Sequence, residues 1–467
     1  MCRGSVEETS SILLEKEEEM KGLLFRSLGR RAFLTMSGVA FVGTALAGCA
    51  PKAATPAPKE EAPTKAPAKV EATKLKYTSW GNETRLKADE KNIVAFNDQN
   101  PDIEVEFIGI AADYNTQVLT MIAAGDSPDV LRINAWNSQG YFAKGSCLAL
   151  DDYFAQEGIK PEEIYVAPFV QCVYQGKWYG IPRGGTGMQI VYYNKPMFDE
   201  AGVAYPEDPE WTWDDFLDTA KALTKKGADG KTEQWGFDFW CWNDGGWQTA
   251  VWGNGGAILN EEHTKCLLDQ PEAVEGIQWW ADLRCKEGVA PTPGQIPEGM
   301  GNPFFAGLTA MCQCGTWAVN TLRPTEWEWG IVIWPVGPKE HVSFSKPNTC
   351  SIGSATKEPD ASWRLEKYLG GEEVAKRDAE SGLWPPNVKS LMNSDWYRTS
   401  DQKPYDLSPT VVGLQAKVRG LPLTVNAAEV NSAIWQEMQL VLTCEESAES
   451  AMARAKENVD ALLAEIE

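Results

Sequence analysis

Strand and helix patterns alternate along most of this chain, and that alternation restricts the fold more than any other feature. Lys74-Leu75-Lys76-Tyr77-Thr78-Ser79-Trp80 switches between polar and apolar residues with the two-residue period of a strand and ends at Gly81. A polar helical stretch follows, with Leu86, Ile93 and Val94 apolar, and stops before Pro101. Ile103 to Phe107 alternates again, and Tyr114, Val118, Met121 and Ile122 then share one helical face closed by Gly125. Asp129 to Ile133 reads as the next strand. Such a run predicts a parallel sheet with crossover helices, whose ligands sit just beyond the strand carboxyl ends. Trp80 to Glu83 and Asn134 to Asn137 occupy those positions. Farther on, Thr212-Trp213-Asp214-Asp215 opens a helix with a capping box in which Asp replaces Glu. Ile434, Met438, Leu442, Met452, Ala455, Val459 and Leu463 keep helical spacing to the C-terminus. The stretch from Lys74 to Glu467 is too long for one core, yet it contains no linker-like break and no internal repeat. Two α/β lobes joined by more than one passage of the chain satisfy both facts.

The residues before Lys74 read as a leader and a spacer. Residues 1–48 carry an export signal: Arg26, Arg30 and Arg31 precede the apolar run Phe33 to Val42, and small residues lead to Leu46-Ala47-Gly48-Cys49. The apolar run is shorter than the ~20 residues that span a bilayer. Gly29-Arg30-Arg31-Ala32-Phe33-Leu34 resembles a twin-arginine signal, and Leu46 to Cys49 resembles the bacterial lipobox, in which the cysteine is lipidated. Met20 is a plausible alternative start, because Met1 to Glu19 is acidic and unlike any signal n-region. Residues 49–73 comprise the lipidated Cys49 and a tether of Ala, Pro, Lys, Glu and Thr that cannot bury apolar surface. The expectation is a body held outside the bacterial cell membrane by N-terminal lipid alone.

Composition excludes several function classes. With 66 acidic and 43 basic residues the formal charge is −23, which disfavours a nucleic-acid partner. Two histidines and nine irregularly spaced body cysteines offer no metal pattern, and no cofactor is expected. Their spacing does not reveal whether the cysteines pair. No glycine-rich phosphate loop or Gly-x-Ser-x-Gly nucleophile motif is present.

Several stretches resemble, in order, the family-1 extracellular solute-binding proteins of ABC importers, the group that includes maltose- and oligosaccharide-binding proteins. Ala123-Ala124-Gly125-Asp126-Ser127-Pro128-Asp129-Val130 resembles the family's "aaGdaPDv" turn. Gly176 to Pro182, followed by Val191-Tyr192-Tyr193-Asn194-Lys195, is similar to "gklYGiP … lyYNk". Trp211 to Phe216 is similar to "P.TWdeF", and Phe304 to Met311 with Gly315-Thr316-Trp317 to "F..GkaAM … G.W". The resemblance implies a two-lobed α/β periplasmic-binding-protein fold with hinge crossings and a ligand cleft between the lobes. Lobe 1 would comprise 74–184 plus 337–383, and lobe 2 would comprise 185–336 plus 384–467. Crossings would fall near Arg183 to Gly187, Val336 to Phe344 and Gly382 to Pro386, the first with glycines at 184, 185 and 187.

The residues suit a sugar, whose flat C–H faces stack on aromatic planes and whose hydroxyls need planar hydrogen-bonding groups. Twenty tryptophans are available. Candidate stacking residues are Trp80, Trp136, Trp240, Trp242, Trp317 and Trp384, the last two at positions where the resemblance implies sugar stacking. Candidate polar contacts are Asn82, Glu83, Asn134, Asn137, Arg183, Asn243 and Asp244. Arg183 could bridge hydroxyls, clamp a carboxylate or form a hinge ion pair. Trp211, Trp213, Trp279, Trp280, Trp327, Trp329 and Trp363 read as core or helix packing. Little basic clustering near these candidates argues against phosphate esters. The expected function is capture of a sugar, notably an oligosaccharide, for delivery to ABC permease transmembrane subunits, by a monomer that is not an enzyme. The alternatives are an exported glycoside hydrolase and a same-fold binder of glycerol phosphate, a polyamine or an acidic sugar.

Overall fold

The computed structural model describes residues 71–184, 187–207, 210–239, 246–298, 300 and 302–466. The leader, Cys49 and all but the end of the tether lie outside these residues, as do Trp240, Trp242, Asn243 and Asp244.

The first lobe starts as the periodicity predicts, with β1 (Thr73–Trp80), α1 (Glu83–Gln99), β2 (Ile103–Ile110), α2 (Tyr114–Ala123), β3 (Val130–Ile133) and α3 (Ala135–Ala143). Asn82 caps α1 by accepting a hydrogen bond from the Arg85 N–H, and Asn134 caps α3 by accepting from Trp136 N–H. β1 pairs in parallel with β2 along its whole length and with β3 at Tyr77 and Thr78. Their inward residues Leu75, Tyr77, Ile103, Val105 and Val130 meet Ile93 and Phe96 of α1 in one core cluster.

The chain leaves this sheet through β4 (Ile181–Arg183) and enters a second sheet through β5 (Gln189–Asn194). It continues through α4 (Trp213–Leu223), β6 (Asp238–Phe239), α5 (Pro271–Cys285), β7 (Met311–Gly315) and β8 (Trp329–Ile333), then returns through β9 (Asn348–Ile352). Two helices follow on the first lobe, α6 (Pro359–Leu369) and α7 (Glu372–Glu380), and α8 (Ala427–Leu442) and α9 (Ala448–Ala464) close the second. The first sheet has the order β2-β1-β3-β9-β4 and the second β6-β7-β5-β8. The first sheet is therefore mixed rather than all parallel, because β9 runs antiparallel to both β3 and β4. The reversal follows from the path: the chain exits across the carboxyl-terminal edge of the sheet and re-enters by the same edge. Outgoing and returning passages lie side by side, bridged at Met188 and Ser345. Both crossings thus fall on the edge where an α/β sheet presents its ligand.

The second core is built on tryptophan. Trp213 stacks on Trp279 at 3.8 Å between ring centres, beside Phe216 and Trp334. Trp280, Trp329 and Trp363 are buried, in keeping with the core role read from the sequence. At ~25 cal/mol per Å2, each fully buried indole contributes about 4 kcal/mol before entropy is counted. The capping box of α4 is present in both directions, between Thr212 and Asp215. Cys285, at the end of α5, forms a disulfide with Cys444 in the turn between α8 and α9, and this closes a span of 159 residues. Cys147, Cys172, Cys266, Cys314 and Cys350 are buried free thiols, and Cys312 is buried as well.

Two predictions follow from the cores. Cys285→Ser with Cys444→Ser releases a long loop and should lower stability by about 2–5 kcal/mol, read by urea unfolding under non-reducing conditions. Glu366 on α6 is fully buried, and burial pushes its carboxyl well above the ordinary 4.5. A carboxyl raised in this way contributes its full stability below pH 4.5 and loses it, at about 1.4 kcal/mol per pH unit, as pH climbs toward the folded value. Glu366→Gln should therefore raise the midpoint at pH 7, with the gain vanishing near pH 4.

Candidate functional site

Helical and strand registers that read as core carry charges, and those charges converge at the carboxyl-terminal edge of the first sheet. Asp89 lies on the same face of α1 as Ile93 and Phe96, and Arg132 sits inside the wholly buried strand β3. Arg183 ends β4 with 3 % of its surface exposed. Its Nη2 donates to Asp89 Oδ1 at 2.6 Å, and its Nη1 donates to Asp378 of α7. Ser79 Oγ donates to the other Asp89 oxygen at 2.7 Å. Burial alone would lower the Arg183 guanidinium, but Asp378 and Asp89 overcome it and hold it above its ordinary range. The site thus uses Arg183 as the ion pair that the sequence left open, joining α1, the first crossing and α7.

A second layer lies against this one. Arg132 Nη1 is 3.5 Å from Ser79 Oγ and 4.0 Å from Asp89, and its guanidinium lies 4.4 Å from the centre of the Trp80 ring and 5.3 Å from that of Trp384. Arg85, in the first turn of α1, lies 4.5 Å from the Trp384 ring. Trp80 also meets Tyr114 at 5.0 Å. Guanidinium over indole is favourable in a desolvated setting, so the two tryptophans partly replace the solvent these cations have lost.

The remaining candidates take varied places. Trp136 is half-buried just beyond β3, packed against the second-lobe core, with an indole N–H that has no acceptor among the described residues. Ala135 N–H beside it donates to Asn348 at the start of β9. Trp317 is half-buried just beyond β7, with Lys346 Nζ 5.9 Å from its ring centre. Burial pushes that ammonium down to about 7. Residues 346–348 of the second crossing therefore touch Trp317 and the residue that precedes Trp136. Trp384 is buried, whereas Asn82 and Glu83 are exposed, the latter paired with Lys87 at 2.5 Å. Asn137 is half-buried in the first turn of α3.

Sequence reasoning missed Arg85, Asp89, Arg132 and Asp378. The signal was a charge in a core register: Arg132 within Val130-Leu131-Arg132-Ile133, and Asp89 four residues before Ile93. It also misjudged the charge. Three arginines distant in sequence gather where little basic clustering was expected.

Two α/β sheets joined by adjacent crossings, with aromatic and charged side chains gathered on the crossing edge, define a two-lobed binding protein. The family model of bacterial extracellular solute-binding proteins matches residues 80–376, and the chain belongs to that family. It is similar to the sn-glycerol-3-phosphate-binding periplasmic protein UgpB of Escherichia coli (strain K12), 22% identical over 398 residues that span 80% of this chain and 88% of that protein. Its fold is similar to that of the ABC substrate-binding protein Lmo0181 from Listeria monocytogenes, with TM-score 0.75, 24% identity and coverage of 84% of this chain and all of that one. It is likewise similar to T. maritima MalE3, with TM-score 0.69, 23% identity and coverage of 84% of this chain.

Asp378→Asn leaves Arg183 facing one carboxylate and should cost about 3–5 kcal/mol in urea unfolding, because it strands buried charge. Glu83→Gln, which removes only an exposed pair, should leave the midpoint where it is.

Proposed function

We propose that this protein is a membrane-tethered extracellular solute-binding protein that captures a sugar, notably an oligosaccharide, and hands it to the transmembrane subunits of an ABC permease. One observation carries the sugar reading: half-buried Trp136 and Trp317 stand immediately beyond the carboxyl ends of β3 and β7, one strand from each sheet. That is where α/β sheets bind ligands, and an indole face suits a pyranose face. Structures sharing the fold support it: Lmo0181 is in complex with cycloalternan and MalE3 is bound to maltose. Asn137 and Asn134 would add polar contacts, and Trp242, Asn243 and Asp244 complete the proposed set from outside the described residues.

Function follows from contacts that only one arrangement of the lobes makes in full. Solute held by both lobes favours the closed arrangement by the difference in its contacts with the two states, and nothing else. Cys49 supplies the lipid anchor in this reading, and the polar tether gives the body reach. The chain is read as a binder rather than an enzyme, and among the described residues the two carboxylates at the crossing edge, Asp89 and Asp378, are both committed to Arg183. A hydrolase needs two carboxyl groups free to flank the scissile bond.

Thermal unfolding against mono- and oligosaccharides tests this. A solute at 100 times its Kd should add ~2.7 kcal/mol and raise the midpoint without being consumed. A flat panel overturns the sugar reading, and turnover of a glycan overturns the binder. Because the Escherichia coli relative is named for sn-glycerol-3-phosphate, that polyol phosphate belongs on the panel.

A further inference from the structure

Among the described residues, two of the three arginines at the crossing edge have no counter-ion of their own. Among the described residues Arg85 has no carboxylate within ion-pair distance, and its buried Nε has no hydrogen-bond partner. Arg132 is fully buried, and both its Nε and its Nη2 lack partners. Among the described residues the one carboxylate within ion-pair distance of it, Asp89 at 4.0 Å, already serves Arg183 at 2.6 Å and Ser79 at 2.7 Å. Three guanidiniums therefore share two carboxylates, Asp89 and Asp378, in a place where water is largely excluded. The strain registers on Arg85 itself, which burial and the nearby Arg132 charge push down to about 9.

Backbone is given up to hold this arrangement. A Cβ on Gly81 would lie 2.5 Å from the Arg85 side chain, and one on Gly184, at φ +88°, would lie 2.5 Å from Arg132 Nη2. Glycine stands at both places, and each leaves room for one guanidinium stem or head. Trp80 and Trp384 stabilise positive charge through their ring faces, but a ring face satisfies neither Nε nor Nη2. What is missing is an acceptor with negative charge. Arg85 is partly exposed and Arg132 wholly buried, so of the two Arg85 is the one open to a solute.

We propose that the solute carries an anionic group, a carboxylate or a phosphate, which Arg85 receives directly while Arg132 supplies the second positive charge. This rests on the sugar reading above and narrows it to acidic sugars: uronates, or sugars bearing phosphate. Arginine suits either, because its planar fork matches the paired oxygens of both groups.

The test is calorimetric titration and thermal unfolding of the full chain with matched pairs: glucose with glucuronate, galactose with galacturonate, glucose with glucose 6-phosphate, and glycerol with sn-glycerol 3-phosphate. The expected result is that an anionic member binds roughly ten- to hundredfold tighter than its neutral twin, the worth of one charged hydrogen-bonded contact. Arg85→Gln should remove that preference and Arg85→Lys should restore part of it, with each variant first shown to unfold cooperatively. Preference for the carboxylate pairs identifies uronates, and preference for the phosphate pairs identifies phosphorylated solutes. A neutral sugar bound as tightly as its anionic twin, unaffected by Arg85→Gln, overturns the inference and leaves the sugar reading standing. Binding of glycerol 3-phosphate or inorganic phosphate with no sugar bound keeps the anion contact and overturns the sugar. No binding by any anionic member overturns the inference, while the oligosaccharide panel above decides the sugar reading separately.

Discussion

The ion pairs of Arg183 are the constraint on which the rest of the first lobe depends. A guanidinium taken out of water costs several kcal/mol unless its donors meet carboxylates, and here they meet two, from α1 and from α7. Those helices lie far apart in the sequence, yet both must be docked before β4 can end where it does. The ion pairs therefore tie the first crossing strand to the body of its lobe. One residue later Gly184 takes a left-handed backbone that other residues do not adopt cheaply.

The second layer is less balanced. Arg132 and Arg85 are held by indole faces and by glycine-made space rather than by acids, so among the described residues three guanidiniums face two carboxylates at the crossing edge although the chain as a whole is strongly acidic. Net charge and local charge answer different questions. The first keeps the body soluble and away from anionic surfaces, and the second sets what an enclosed site will accept. Proteins that break a local rule of burial tend to do so where they function.

Much of the architecture was legible in the sequence because it rests on short-range periodicity. β1, β2, β3, the helices between them, the capping box at Thr212 and the C-terminal helical pair all follow from spacing. The antiparallel β9 was not legible, because its direction is set by a returning crossing rather than by any local pattern. The site was legible only in part. Asparagines placed after strands read equally as ligand contacts and as helix caps, and Asn82 and Asn134 act as caps in this structure. Arg85, Arg132 and Arg183 lie far enough apart along the chain that no window sees them as a cluster. Only pairing of β3 with β9 and of β9 with β4 brings the last two together.

The third passage of the chain differs in kind from the other two. Ala375, Val388 and Leu391 pack in a first-lobe core, whereas Ala379 and Met392, interleaved with them in sequence, pack in a second-lobe core. Arg323 Nη1 donates to the Glu380 carbonyl at 2.7 Å and Asn320 Nδ2 to that of Ser381 at 2.9 Å, so second-lobe side chains grip this segment by its main chain. It behaves as a strap held from both sides, and the strap carries Trp384. The indole that covers Arg85 and Arg132 is thus attached to a segment held by both lobes. A solute that draws Arg85 away from that ring changes a contact at the strap as well as filling a site. Binding free energy reaches the lobe equilibrium only through contacts that differ between its two states, and the Trp384–guanidinium contact is one that first-lobe charge and the strap share.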